Sequence, residues 1–162
     1  MNGSKENAAY GAFEKPQRQE TVLNLATAQR MLPLVQRIIT DLLQNQLRLN
    51  QLLPEQTRLD RQKRFLDWPE RCRRYQIHEE IAAAERNLQD AKAELAFLGI
   101  TLVDSGEGRI GFPTLVNGHK AYFSWRQGEE NVSFWHFADE TTRRSIPASW
   151  EKSADMSFSS RG

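Results

Sequence analysis

Residues 25–53 read LATAQRMLPLVQRIITDLLQNQLRLNQLL, and the spacing of the apolar side chains in this stretch decides the fold. Those side chains recur at alternating intervals of three and four residues, with one glutamine in the series: Leu25, Ala28, Leu32, Val35, Ile39, Leu42, Gln46, Leu49 and Leu53. The pattern is typical of a helix that packs along another helix at a shallow angle. We expect this helix to begin after Asn24, a suitable N-cap, and to end or bend at Pro54.

A second helix with a matching line of apolar side chains is predicted downstream. It opens at Asp67, with Glu70 three residues later as in a capping box, and Gly99 follows its last turn. The apolar positions are again three or four residues apart: Ile77, Ile81, Ala84, Leu88, Ala91, Leu95 and Leu98. We therefore predict an antiparallel helical hairpin over residues 24–98. The sequence leaves the conformation of residues 54–67, its tip, open.

From Ile100 the apolar residues alternate with polar ones, which indicates β-strands. Asn117-Gly118 is a strong signal for a two-residue hairpin turn, and further turns are expected at 105–108 and 127–130. We predict a small antiparallel β-sheet of three to four strands over residues 100–137. Together with the hairpin it makes an α+β fold.

The expected turn lengths fix a register for this sheet. Three positions of the third strand would each face two partners on one apolar side: Ala121 faces Thr114 and His136, Phe123 faces Phe112 and Phe134, and Trp125 faces Ile110 and Val132. That side would cover the helices. On the opposite side Tyr122 would lie across from Trp135, flanked by Lys120 and Arg126.

The composition of the 162-residue chain is that of a soluble protein, and its net charge of +1 gives no general attraction to nucleic acid or anionic lipid. Residues 1–20 and 151–162 lack apolar periodicity, so we expect disordered tails around a single domain at 21–150. No apolar run approaches the ~20 residues of a membrane helix, and no signal-peptide pattern is present. Cys72 is the only cysteine. We expect a cytoplasmic protein with no membrane partner.

The two helices are longer than the sheet that would cover them. About 30 residues of helix extend ~45 Å, whereas a seven-residue strand extends ~23 Å. The first helix also carries apolar residues off its main line: Leu34, Ile38, Leu43, Leu47 and Leu52. Either this surface packs on the chain's own sheet, or it forms a homodimer with Ile38, Leu43 and Leu47 in the interface.

Two groups at the β-rich end could bind a ligand. Tyr122 and Trp135 beside cations would form a platform that stacks rings, although a stabilising cross-strand pair is the commoner explanation. His119 and His136 would lie on one face near Asp139, and two imidazoles with a carboxylate could bind zinc or iron. Since no metal-binding spacing motif is present, a hydrogen-bonded structural histidine is the commoner explanation.

Cations dominate the predicted tip of the hairpin. Seven stand against three carboxylates: Arg58, Arg61, Lys63, Arg64, Arg71, Arg73 and Arg74 against Asp60, Asp67 and Glu70. Such a surface could meet the phosphates of nucleic acid, but a solvated charged face is the commoner explanation. Nucleic acid is a partner that the sequence allows and does not favour.

Several short motifs carry a family resemblance. They are Ala28-Gln29-Arg30-Met31-Leu32-Pro33-Leu34-Val35, Leu98-Gly99-Ile100, Phe112-Pro113, Gly118, Trp125-Arg126 with Gly128-Glu129, and Trp135-His136 with Asp139. In these motifs residues 22–147 resemble domain-of-unknown-function family 2203, an uncharacterised bacterial group. The chain departs from the family pattern at Gly111, Ser124 and 141–144. The resemblance implies a helical hairpin followed by a β-rich region and supplies no reaction.

The resemblance ranks the site residues and leaves two functions in competition. Arg126, Glu129, Trp135 and His136 match the family pattern, and Tyr122 joins them as a ligand-binding candidate; an Arg126–Glu129 ion pair across the turn is expected. The leading hypothesis is a non-enzymatic interaction module that self-associates through the hairpin. The alternative is a small-ligand or metal-binding protein, with or without enzyme activity, that uses the β-rich end around His136. No catalytic residue or cofactor is indicated.

Overall fold

The computed structural model describes residues 22–151 of the chain, and its first element is a long helix. Helix α1 spans Leu25–Arg61 and begins at Asn24, whose side-chain oxygen accepts a 2.8 Å hydrogen bond from the backbone N–H of Thr27. We expected the helix to end or bend at Pro54, but it continues for seven further residues. Pro54 is exposed, and water can take the place of the helical hydrogen bond that its ring removes.

The chain reverses direction in a single 3₁₀ turn at Lys63–Phe65, which settles the conformation of the tip. Leu66 then packs into the interior, and helix α2 spans Trp68–Phe97. The capping box forms as predicted, with the Glu70 backbone N–H donating to the Asp67 carboxylate at 2.9 Å. The two helices lie antiparallel with their apolar lines facing each other, as the repeat predicts.

An antiparallel sheet follows, in which each strand pairs with its neighbours in the sequence. The strands are β1 (Thr101–Asp104), β2 (Arg109–Val116), β3 (His119–Arg126), β4 (Phe134–Phe137) and β5 (Arg144–Ser145). The α+β class is confirmed. The sheet has one strand more than the expected three to four, because β5 lies beyond residue 137. None of the helices in the described residues has the length and apolarity to cross a bilayer.

The predicted register is confirmed on one side of β3 and wrong by one residue on the other. Phe123 lies opposite Phe112 as expected. Across β4, however, Phe123 faces Trp135 rather than Phe134. Because successive side chains of a strand point to opposite faces, this shift exchanges the two faces of β4.

The shift arises because β4 begins later than the apolar pattern suggests. We expected a strand over 131–137, but Val132 lies outside it and pairs with a side chain of α1 instead. The Gln29 amide nitrogen donates to the Val132 carbonyl at 3.1 Å, and the Gln29 oxygen accepts from the Val132 N–H at 3.2 Å. This contact takes the place of strand pairing and lengthens the loop after β3.

The described residues contain two separate apolar cores. The first lies between the sheet and the adjoining halves of the helices, and includes Trp125, Phe112 and Ile39. The second contains no sheet residue: Leu49, Leu52, Leu59, Leu66, Ile77, Ile81 and Ala84. Leu88 packs against both cores. We call residues 47–84, which hold the second core, the arm, and the rest of the described chain the base.

Candidate functional site

A cleft of about 560 Å³ opens at the β-rich end, where β3 starts and the turn after β4 passes it. Its lining combines one imidazole, one amine and two carboxylates with an aromatic wall: His119, Lys120, Phe137, Ala138, Asp139 and Glu140. A backbone hydrogen bond from the Ala138 N–H to the Lys120 carbonyl, 3.0 Å, ties the two sides together. Glu140 is also paired with Arg144 at 2.9 Å. The cleft can accept a small charged ligand.

The predicted metal site does not form, because His136 is on the other face of the sheet from His119. His136 lies opposite Tyr122 in the register and is only 4% exposed. Its Nδ1 lies 2.8 Å from the Phe137 carbonyl oxygen. His119 and Asp139 do share the cleft, but within residues 22–151 no three histidine, cysteine or carboxylate side chains are grouped to hold a metal ion.

The expected aromatic platform is also absent, for the same reason of register. Tyr122 lies against His136, with ring centroids 5.7 Å apart, instead of facing Trp135. Trp135 is buried on the inner face and contacts Trp150 at a centroid distance of 5.1 Å. The space over Gly111 is filled by the Tyr122 ring, since a methyl group added at Gly111 would come within 2.8 Å of it. These rings serve packing.

Glu129 belongs to a partly buried network that the sequence did not reveal. Its carboxylate accepts a 2.7 Å hydrogen bond from the backbone N–H of Arg126 and pairs with the Arg143 guanidinium at 2.5 Å. The expected partner, the Arg126 side chain, is exposed instead. Arg143 also donates to the Ser124 hydroxyl at 2.9 Å and lies 4.3 Å above the Phe134 ring. The network fastens the segment before β5 to the outer face of the sheet.

In the arm, charged side chains beside the line of apolar residues join α1 to α2. The Arg73 guanidinium makes two hydrogen bonds to Glu55, at 3.0 and 3.2 Å. Glu80 lies 3.8 Å from Arg73 and 3.4 Å from Arg48, which extends the chain of charges along both helices. The hydrogen bonds from Arg73 lower the pKa of the Glu55 carboxyl, although partial burial opposes them.

A second polar group spans the two helices nearer the tip. The Arg74 guanidinium donates to the Asp60 carboxylate at 2.7 Å, and this hydrogen bond lowers the pKa of Asp60. His78 Nε2 lies 3.5 Å from the same carboxylate oxygen. The other ring nitrogen of His78 lies 2.9 Å from the Gln56 amide. Together the two groups join α1 to α2 by charge-assisted contacts at intervals of about one to two helical turns.

Three large aromatic side chains protrude at the tip and the start of α2. Phe65 is 88% exposed, Trp68 74% and Tyr75 68%. Trp68 and Tyr75 are seven residues apart, so they lie on one side of α2 about 10.5 Å apart along its axis. Five exposed cations lie in the same part of the chain, residues 58–71: Arg58, Arg61, Lys63, Arg64 and Arg71. We call these aromatic and cationic side chains the tip surface.

The three residues expected in a dimer interface differ in their surroundings. Ile38 is 4% exposed and belongs to the first core. Leu43 is half-buried under the turn between β1 and β2, where a methyl group at Gly108 would come within 3.0 Å of it. Leu47, one turn further along the same side of α1, is 59% exposed. The sheet therefore stops covering this side of α1 between Leu43 and Leu47.

The comparisons with known proteins point to one family. The family model of an uncharacterised conserved protein, DUF2203, matches residues 22–146, which include both helices and all five strands of the sheet. Neither the curated proteins nor the solved structures contain a match to this chain.

Proposed function

This chain belongs to the DUF2203 family of uncharacterised conserved proteins, and we propose that it is a non-enzymatic interaction module that self-associates through the arm of its helical hairpin. One observation carries the proposal: the side of α1 that the sheet covers as far as Leu43 continues uncovered at Leu47. A second copy packed along this side would remove the exposed leucine from water and extend the two-helix arm to a four-helix arrangement. The cytoplasm is its proposed location, because Cys72 has no second cysteine in the chain to pair with.

The surroundings of the chemically capable residues support a role without catalysis. His136 is buried against Tyr122, and the Glu129 carboxylate is held by Arg143 in a network that joins two parts of the fold. A general acid or base must reach its substrate, whereas His136 is buried and the Glu129 carboxylate is already paired with Arg143. Their contacts are those of structural residues.

Leu47→Glu tests self-association. We expect the wild-type protein to be a dimer at micromolar concentration and the variant a monomer, because a buried carboxylate at the contact would be costly. Gel filtration with light scattering measures the difference. Leu34→Glu is the matched control, since Leu34 is 43% exposed but lies on another side of α1, in the base. A monomeric wild-type protein at 100 micromolar would rule the proposal out.

A second function, binding of a small charged ligand, is favoured by the cleft at the β-rich end. The alternative centred on His136 moves to His119 and Lys120, since these line the opening and His136 is not among its lining residues. If a small anion such as phosphate binds there, it should raise the melting temperature of the wild-type protein and leave that of His119→Ala unchanged. Equal shifts in both proteins would place the binding elsewhere. The Leu47→Glu variant should respond as the wild type does.

A further inference from the structure

We propose that the tip surface binds single-stranded nucleic acid, with its aromatic rings stacking on bases and its cations contacting phosphates. This inference goes beyond self-association and does not depend on it, because the tip surface and Leu47 are different parts of the arm. The sequence alone favoured a solvated charged face for these cations. The structure adds the aromatic residues that the charge pattern did not reveal.

The exposure of the aromatic rings is the first support. Large aromatic side chains are normally buried, as Trp125 (1% exposed) and Trp135 (8%) are in the base. At the tip, by contrast, Phe65 and Trp68 are exposed within four residues of sequence, and Tyr75 continues the same side of α2. Base stacking on such rings tolerates any sequence, because every base has an aromatic face.

The second support is that several of the exposed cations at the tip are not paired with a carboxylate. Arg73 and Arg74 are engaged by carboxylates of α1 and contribute to the stability of the arm. Four other exposed cations have no carboxylate oxygen within 4 Å in the described chain, although Arg58 is close enough to Glu55 to help lower its pKa: Arg58, Arg61, Lys63 and Arg64. Three of these four are arginines, whose planar guanidinium groups bind phosphate in a bidentate manner and also stack on bases. The tip surface therefore has an unbalanced positive charge next to open aromatic faces.

Nucleic acid fits this surface better than an anionic bilayer does. Asp67 and Glu70 lie beside Trp68 in the capping box, so inserting Trp68 among lipid headgroups would press two carboxylates against anionic lipid. A single strand can pass over the rings and cations on one side while these carboxylates stay in water. The arm also projects beyond the sheet, which leaves the tip surface accessible along its length.

The test is binding of fluorescein-labelled 20-mers of dT and of U to the full-length protein, followed by anisotropy and by quenching of tryptophan fluorescence. Quenching should come from Trp68, because Trp125 and Trp135 are buried and Trp150 packs against Trp135 in the base, away from the tip surface. If about four phosphates are contacted, raising the salt concentration fourfold should weaken binding roughly 50-fold. The doubly substituted Phe65→Ala/Trp68→Ala protein should bind at least tenfold more weakly than wild type, as should Arg61→Glu/Arg64→Glu.

Matched controls come from the base. Phe97→Ala removes another exposed aromatic ring (89% exposed) at the far end of α2, and Arg37→Glu reverses an exposed charge on α1; both variants should bind as the wild type does. Circular dichroism verifies that each variant is folded. The proposal is overturned if neither oligonucleotide binds at 50 millimolar salt, or if the aromatic variant binds like wild type. Binding to phosphatidylserine vesicles without binding to oligonucleotides would overturn it as well. None of these outcomes bears on the dimer measured with Leu47→Glu.

Discussion

At the scale of single residues, Arg143 connects the segment before β5 to the outer face of the sheet. It joins Glu129, Ser124 and the Phe134 ring, and the side chains of the Arg143–Glu129 pair are each less than one-fifth exposed. Arg143→Met should therefore remove the positive charge beside the poorly hydrated Glu129 carboxylate, which would keep only the Arg126 N–H as a donor, and take the guanidinium partner from the Ser124 hydroxyl. We expect a loss of about 2–3 kcal/mol in the free energy of unfolding.

Urea denaturation followed by the fluorescence of the buried tryptophans measures this loss. Arg144→Met is the control, because Arg144 pairs with Glu140 on the surface, where such pairs contribute at most about 1 kcal/mol. Equal losses in the two variants would show that the partly buried network contributes no more to the free energy of unfolding than the surface ion pair does.

The role of Arg143 could not be predicted from the sequence, since it depends on which strand lies beside Ser124 after the chain has folded. The same holds for Gly111, where the missing side chain makes room for the ring of Tyr122 across the strand pair. The expected ion pair between Arg126 and Glu129 was wrong, because the partner of Glu129 is Arg143, 14 residues away rather than three. Contacts of this kind follow from tertiary structure and have no local signal.

At the scale of elements, helices were predicted better than the sheet for a physical reason. The seams of α1 and α2 repeat over many turns, so one irregular position such as Gln46 or Pro54 does not change which side is apolar. A strand has a period of two, and a single extra residue in a loop exchanges its faces. The contact between Gln29 and Val132 had that effect, and it moved His136 away from His119. The fold class was predicted correctly despite this error, whereas the predicted metal site depended on the register and was wrong.

The same difference explains which candidate sites could be anticipated. Turns with a strong local signal, such as Asn117-Gly118, fixed the pairing of β2 with β3 correctly. The cationic half of the tip surface was visible as a charge run, whereas the exposure of Phe65 and Trp68 required knowledge of where the hairpin reverses. Aromatic residues in a sequence are normally assigned to the core, and at this tip that expectation fails.

At the scale of the whole molecule, the two cores divide the described chain into two units, and the core of the base contains more buried residues than that of the arm. The base is covered by the sheet on one side of its helices. The arm buries seven residues in its core and relies in addition on the ion pairs around Glu55 and Asp60. Units with fewer buried apolar contacts open at lower free energy, so the arm should open before the base does.

Acid should separate the two units, because the carboxylates whose pKa is lowered by arginines both lie in the arm. A carboxyl with a lower pKa in the folded protein than in the unfolded chain binds fewer protons when folded. Its contribution to stability is complete above about pH 5 and is lost as the pH falls through the lowered folded-state pKa. As the pH falls below about 4, helical circular dichroism should therefore decrease before tryptophan fluorescence changes in a Trp68→Phe background, where the remaining tryptophans all lie in the base. The Glu55→Gln/Asp60→Asn protein should be less stable at pH 7 and should lose less further stability on acidification. A single transition, with both signals changing together in wild type and variant, would mean that arm and base unfold as one unit.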